Sequence, residues 1–200
     1  EAIECYQRAA DLFMEMGDGS SAAEALSNLG GVYHLIGDLD FALQLYSRAY
    51  DTFCRLGDRQ GASMVQSNIG LVYQSRGDLH LAGEFFEKSI ATKEDLEDHI
   101  GAAGNRLSLG LIYQLGGEWD LAQSCFERAA REFEDNGDLQ GLAAAENNLG
   151  NLYSDRGDPM HAILCYRQGL EARHALNDRH GTAVTLGNLA SVYLQSGEEG

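Results

Sequence analysis

The chain has one proline and two lysines, Lys88 and Lys93, in 200 residues, and no apolar stretch of membrane-spanning length. A single proline and no Ser/Gly-rich segment leave no obvious linker, so the chain reads as one continuous unit. The shortage of cations bears on partners. Acidic residues number 31 against 14 basic ones, and the formal charge is −17. A nucleic-acid binder needs cations to neutralise phosphates, so the balance argues against DNA, RNA and anionic membranes. It favours a neutral or basic protein partner, although an acidic excess also keeps a long surface soluble. Without a run of about 18 apolar residues, no membrane span is expected. No signal peptide is visible. Cys5, Cys54, Cys125 and Cys165 form no CxxC pair, so neither a zinc site nor a redox motif is suggested. Their wide spacing is unlike a small secreted disulfide scaffold. The expectation is a reduced, cytoplasmic protein.

Catalytic signatures are missing too. There is no HExxH, no GxSxG, no Walker loop and no Gly-rich dinucleotide turn. The six histidines offer no convincing metal pair at helical spacing. No enzyme activity, cofactor or metal is therefore expected. The pair Glu198-Glu199 reads as a solvated end and not as an acid/base dyad.

What is present is a strict internal repeat of 40 residues without insertions. Gly30, Gly70, Gly110 and Gly150 share one phase, with Ala190 in the fifth place. Tyr33, Tyr73, Tyr113, Tyr153 and Tyr193 follow three residues later. Ala2, Ala42, Ala82, Ala122 and Ala162 form another set, and so do Tyr6, Tyr46, Phe86, Phe126 and Tyr166. Asp18, Asp58, Asp98, Asp138 and Asp178 mark the joints.

Each unit reads as two helices. Val65, Ile69, Val72 and Tyr73 make one stripe of 3.6-residue period, and Ala82, Phe85, Phe86 and Ile90 make a second. Between them Gly77 suits a left-handed C-terminal cap and Asp78 an N-cap. The boundaries predict a second helix over 1–18, full repeats over 19–58, 59–98, 99–138 and 139–178, and a first helix over 179–200. A glycine inside a helix costs about 1 kcal/mol relative to alanine. Its recurrence at Gly30, Gly70, Gly110 and Gly150 points to close helix approach, with the aromatic of the following helix filling the space. Cys5, Cys125 and Cys165 share a phase with Leu45 and Phe85, so they read as small apolar core residues.

Asn28-Leu29-Gly30-Gly31-Val32-Tyr33, Asn68-Ile69-Gly70-Leu71-Val72-Tyr73 and Asn148-Leu149-Gly150-Asn151-Leu152-Tyr153 resemble the first-helix motif of tetratricopeptide repeats. The small and aromatic phases of the second helix match as well. The usual period is 34 residues. The 40-residue spacing with Gly-Asp joints is similar to the longer Pins/LGN-type subclass. Departures are Ser108 for the asparagine, Glu97 and Asn177 for the joint glycine, and Ser89 and Gly169 for a small alanine. The resemblance covers the whole chain and implies an all-α, right-handed superhelix of antiparallel helix pairs. It is specific for fold and poor for function.

The resemblance also implies that first helices line a concave groove that takes a partner. Carried onto this chain, the groove-facing residues include Ser27, His34, Leu71, Gln74, Leu107, Leu111, Gln114, Leu115, Asn147, Asn151 and Ser191. None of these places holds lysine or arginine, so the carboxylate clamp of some family members is rejected. Amides supply both donors and acceptors and suit an extended peptide. Leu71, Leu107, Leu111 and Leu115 make an apolar patch for a partner's anchors. Asn28, Asn68, Asn148 and Asn188 sit beside this face. They either hydrogen-bond a peptide main chain, as the resemblance implies, or bond the backbone of the neighbouring repeat and stabilise the stack. A protein-binding scaffold is the leading expectation. The alternatives are a self-assembling module joined head to tail through the two terminal half-repeats, and a regulatory domain of a larger signalling protein.

Overall fold

The computed structural model describes residues 1–197, so Glu198-Glu199 lies outside the described residues. Ten helices and no strand occur among the described residues: α1 (Ala2–Glu15), α2 (Gly19–Ile36), α3 (Leu39–Leu56), α4 (Arg59–Arg76), α5 (Leu79–Asp95), α6 (His99–Leu115), α7 (Trp119–Asp135), α8 (Leu139–Asp155), α9 (Pro159–Ala175) and α10 (Arg179–Ser196). The fold is all-α, built from helix hairpins. Two compact units divide it, Glu1–Glu97 and Asp98–Gly200. The division falls at a repeat joint.

The joints follow from capping chemistry. Asp18, Asp38, Asp58, Asp78, Asp98, Asp138, Asp158 and Asp178 each cap a helix, accepting from a backbone N–H in its first turn. Glu118 stands at the same place before α7 and makes no side-chain cap bond. The Gly181 N–H, together with the Arg173 guanidinium, holds the Asp178 carboxyl below its ordinary value. Gly77 closes α4 with φ 85°, the left-handed conformation its place demanded. Where glutamate and asparagine replace that glycine they adopt the same backbone: Glu97 has φ 59° and Asn177 φ 55°. A left-handed side-chain-bearing residue costs about 1–2 kcal/mol, and glycine loses part of that gain through its freer unfolded state. Glu97→Gly is therefore expected to stabilise the chain by about 0.5–1 kcal/mol in urea unfolding. Asn177→Gly gains less, because asparagine tolerates this region better.

In unit 1, α2 packs with α1 and α3, and α4 with α3 and α5. One continuous core joins Leu26, Leu29, Tyr46, Phe53, Val65, Ile69 and Val72. The stripe read on α4 is the buried one: Val65 and Val72 are fully covered, with Tyr73 packed against the same core. In unit 2, α8 lies between α7 and α9, and α10 packs on α9. Its core is carried by Phe126, Phe133, Leu149, Leu152, Tyr166 and Val192.

The mid-helix glycines have the packing role expected. A Cβ on Gly30 would stand 2.9 Å from the Tyr46 ring, and on Gly70 3.0 Å from the Phe86 ring. On Gly110 and Gly150 it would stand 2.5 Å from Phe126 and Tyr166. The helices approach until an aromatic face rests on bare backbone. A second glycine set escaped the sequence reading: Gly61 and Gly141 seat Phe53 and Phe133 in the same manner. Ser89, one of the departures, is fully buried and donates to the Ser63 carbonyl at 2.7 Å, so its hydroxyl is satisfied.

Cys5 corrects the expectation of three core thiols. Cys165 is buried and Cys125 half-buried, but Cys5 is exposed. Its helix, α1, packs chiefly on α2, whereas α7 and α9, which carry the other two, are flanked on both sides. Leu12 and Met14 on α1, Met16 just after it, and Val184, Leu186 and Leu194 on α10 are exposed as well.

Candidate functional site

The first helices of each unit stand beside one another. In unit 1, α2 meets α4. His34 Nε2 lies 2.8 Å from Ser75 Oγ, and Asn68 Nδ2 donates to Ser27 Oγ at 3.4 Å. Leu71 is exposed on this helix pair and Gln74 is half-buried. Ser27 is only 4% exposed, which removes it from the partner-facing set; it is covered where Asn68 reaches across to it.

In unit 2, α8 meets α6 on one side and α10 on the other. Gln114 Nε2 donates to Asp155 at 3.0 Å. Asn188 Nδ2 donates to Asn147 Oδ1 at 3.1 Å and to Asn151 Oδ1 at 3.3 Å. Asn151 also accepts from the Tyr166 hydroxyl at 2.7 Å. Burial pushes that hydroxyl up to about 12, so it remains a donor. Leu107 and Leu111 are half-buried and lean on the core around Phe126 and Leu149, while Leu115 is exposed. The Ser191 hydroxyl is turned back to the Gly187 carbonyl.

The asparagine column thus divides. Asn68 and Asn188 donate to side chains of the neighbouring first helix and not to its backbone. Asn28 is exposed and Asn148 half-buried, and neither has a side-chain partner among the described residues. Their amides keep two donors and an acceptor for something else.

Two buried charges went unnoticed in the sequence. Arg106 is 3% exposed and pairs with Glu132, which also accepts from Arg128 at 3.2 Å. Glu146 is 8% exposed, and its Oε2 makes no hydrogen bond. Burial pushes its carboxyl up to about 6, opposed by a hydrogen bond from Cys165 and helped by the charge of Glu134. The same surroundings push the Cys165 thiol up to about 12. Aligning the repeats places Leu26, Gln66, Arg106, Glu146 and Leu186 at one phase. That mixed column was the available signal.

Among the described residues no group of three His, Cys, Asp or Glu side chains could hold a metal ion, and no helix is long and apolar enough to cross a membrane.

None of the curated proteins matches the chain. Solved structures do. BtubC (BKLC) from P. vanneervenii superimposes with TM-score 0.88 at 21% identity, covering 98% of this chain and 83% of that one. Aspartyl phosphate phosphatase F from Bacillus subtilis gives 0.85 at 16%, covering 96% and 49%. A Rap protein complexed with competence and sporulation factor gives 0.81 at 18%, covering 98% and 58%. The chain thus spans about half of the latter two. At these identities the likeness concerns the fold. A family profile described as tetratricopeptide repeat matches residues 1–55, 61–135 and 102–175. With ten helices in hairpins among the described residues and that match over most of its length, the chain belongs to the tetratricopeptide repeat family.

Proposed function

We propose that this chain is a non-enzymatic scaffold of the longer, Pins/LGN-like kind, which holds a peptide or protein segment on the faces of its first helices. The observation that carries the reading is the uncommitted amide of Asn148, beside Asn151 on α8 and close in sequence to none of the basic residues a clamp would need. Leu71 on α4 and Leu115 on α6 add exposed apolar surface to such faces. One of the similar folds was solved as a Rap protein complexed with competence and sporulation factor, which supports a protein or peptide guest here. The acidic surplus favours a guest that is neutral or basic. A reduced compartment such as the cytoplasm suits the four cysteines.

The test begins with capture on the immobilised full chain, identification by mass spectrometry, and a binding curve for the captured segment. Asn148→Ala is expected to weaken that curve about tenfold, the equivalent of about 1.4 kcal/mol, while the melting temperature stays unchanged. A variant that binds as tightly as the parent overturns the role of this face.

A further inference from the structure

Unit 2 carries a cavity of about 330 Å³ between the ends of α7 and α9, above the start of α8. Its walls are Leu139, Leu142, Ala172 and Ala175, and its polar groups are Gln168 and three carboxylates, Glu134, Glu146 and Glu171. Glu134 and Glu171 are exposed at the surface. Glu146 is more than nine-tenths buried, with one carboxylate oxygen unpartnered.

Unit 1 has the corresponding cavity at the same repeat phase, 120 residues earlier. There Met14 stands for Glu134, Leu26 for Glu146, Arg48 for Gln168 and Asp51 for Glu171. Leu26 is 3% exposed and belongs to the core. The backbone of this groove is therefore satisfied by an apolar residue, and the fold does not require the carboxylate.

A buried carboxylate without a cation is costly, and the cost is relieved by a positive charge brought close. The neighbours acting on Glu146 are the Cys165 thiol and the Glu134 carboxylate, neither of them cationic. At neutral pH a carboxyl titrating near 6 is mostly ionised, so the charge is present to be met. The carboxylates are not gathered as a metal needs. The apolar wall suits an aliphatic stem, and several acceptor oxygens suit a planar donor fork.

We propose that this cavity is a second interaction site, separate from the first-helix faces, and that it receives an arginine side chain of a partner protein. The stem lies along Leu139, Leu142 and Ala172, and the guanidinium donates to Glu146, with Glu134 and Glu171 at the rim.

The probe is Nα-acetyl-argininamide, titrated into the full chain and followed by the backbone amide resonances. Saturable shifts confined to Glu134 and to residues of 139–146 and 168–175 are expected, with the Glu146 carboxyl titrating lower in the bound form. Glu146→Leu copies Leu26 and is expected to fold as the parent does, yet to bind the probe at least tenfold more weakly. Glu146→Gln, closer in shape, is expected to weaken binding as well. Shifts spread evenly over the acidic surface, or a Glu146→Leu titration like the parent's, overturn the site. Equal affinity for Nα-acetyl-lysinamide overturns the assignment to arginine.

Discussion

Phe126→Ala is expected to cost about 3–5 kcal/mol, read as a lower urea midpoint with the slope unchanged. The ring is fully buried in α7 and touches the core of Leu149, Leu152 and Cys165, with Leu107, Leu111 and Trp119 packed around it. Alanine leaves most of that volume empty, and neighbouring helices held by their own packing relax only in part. The site also fixes the reverse experiment. Gly110 lies against the same ring, where a Cβ would come within 2.5 Å of it. Gly110→Ala gains about 1 kcal/mol of helix propensity but forces the ring to move, so it is expected to lose about 1 kcal/mol net. Combined with Phe126→Leu it should cost much less than the sum of the two single variants, because the smaller side chain makes room for the methyl. Additive losses would mean that the glycine serves something other than the ring. Leu107 and Leu111 rest on this cluster, so Phe126→Ala is also expected to disturb the first-helix face of unit 2.

That glycine and its ring were legible in the sequence because a repeat samples one packing problem several times. Small residues at Gly30, Gly70, Gly110 and Gly150 and aromatics at Tyr46, Phe86, Phe126 and Tyr166 vary in ring chemistry but not in size class. The aspartate caps were legible for the same reason, since each joint leaves the same first-turn N–H groups unsatisfied. The left-handed joint was legible at Gly77, and the departures at Glu97 and Asn177 show that the backbone requirement outlasts the residue that suits it best.

The candidate site was legible only as a face. The resemblance marked a first-helix face, from which the buried Ser27 drops out, and Asn28 and Asn148 beside it have no side-chain partner among the described residues. It did not tell that Asn68 reaches Ser27, nor that Asn188 reaches Asn147 and Asn151. Those bonds join residues 41 or 37 apart and depend on the side chain that the next repeat offers. Averaging repeats into one consensus hides them. The column of Leu26, Gln66, Arg106, Glu146 and Leu186 makes the point most sharply, because its members differ in charge and its chemistry is set pair by pair.

Within that column the pair of largest consequence is Arg106 with Glu132, and Glu132→Ala is expected to cost about 3–5 kcal/mol. The Arg106 side chain is 4% exposed and that of Glu132 20%, so the alanine variant takes a paired carboxylate from a guanidinium that water can barely reach. The bond from Arg128 contributes little to this, since that side chain is 55% exposed. The other repeats supply the control. In the first full repeat the equivalent positions are Leu26 and Thr52, a pair without charge that lines one cavity. Arg106→Leu with Glu132→Thr transplants it. Removing both charges together takes the guanidinium out of the interior along with its carboxylate, so the double variant is expected to recover most of the stability that Glu132→Ala loses. In the fourth repeat the equivalents are Glu146 and Ala172, a buried carboxyl facing an uncharged residue. A double variant as unstable as the single one would show that the joint needs the ion pair itself, and a Glu132→Ala chain as stable as the parent would show that the buried guanidinium does not depend on it.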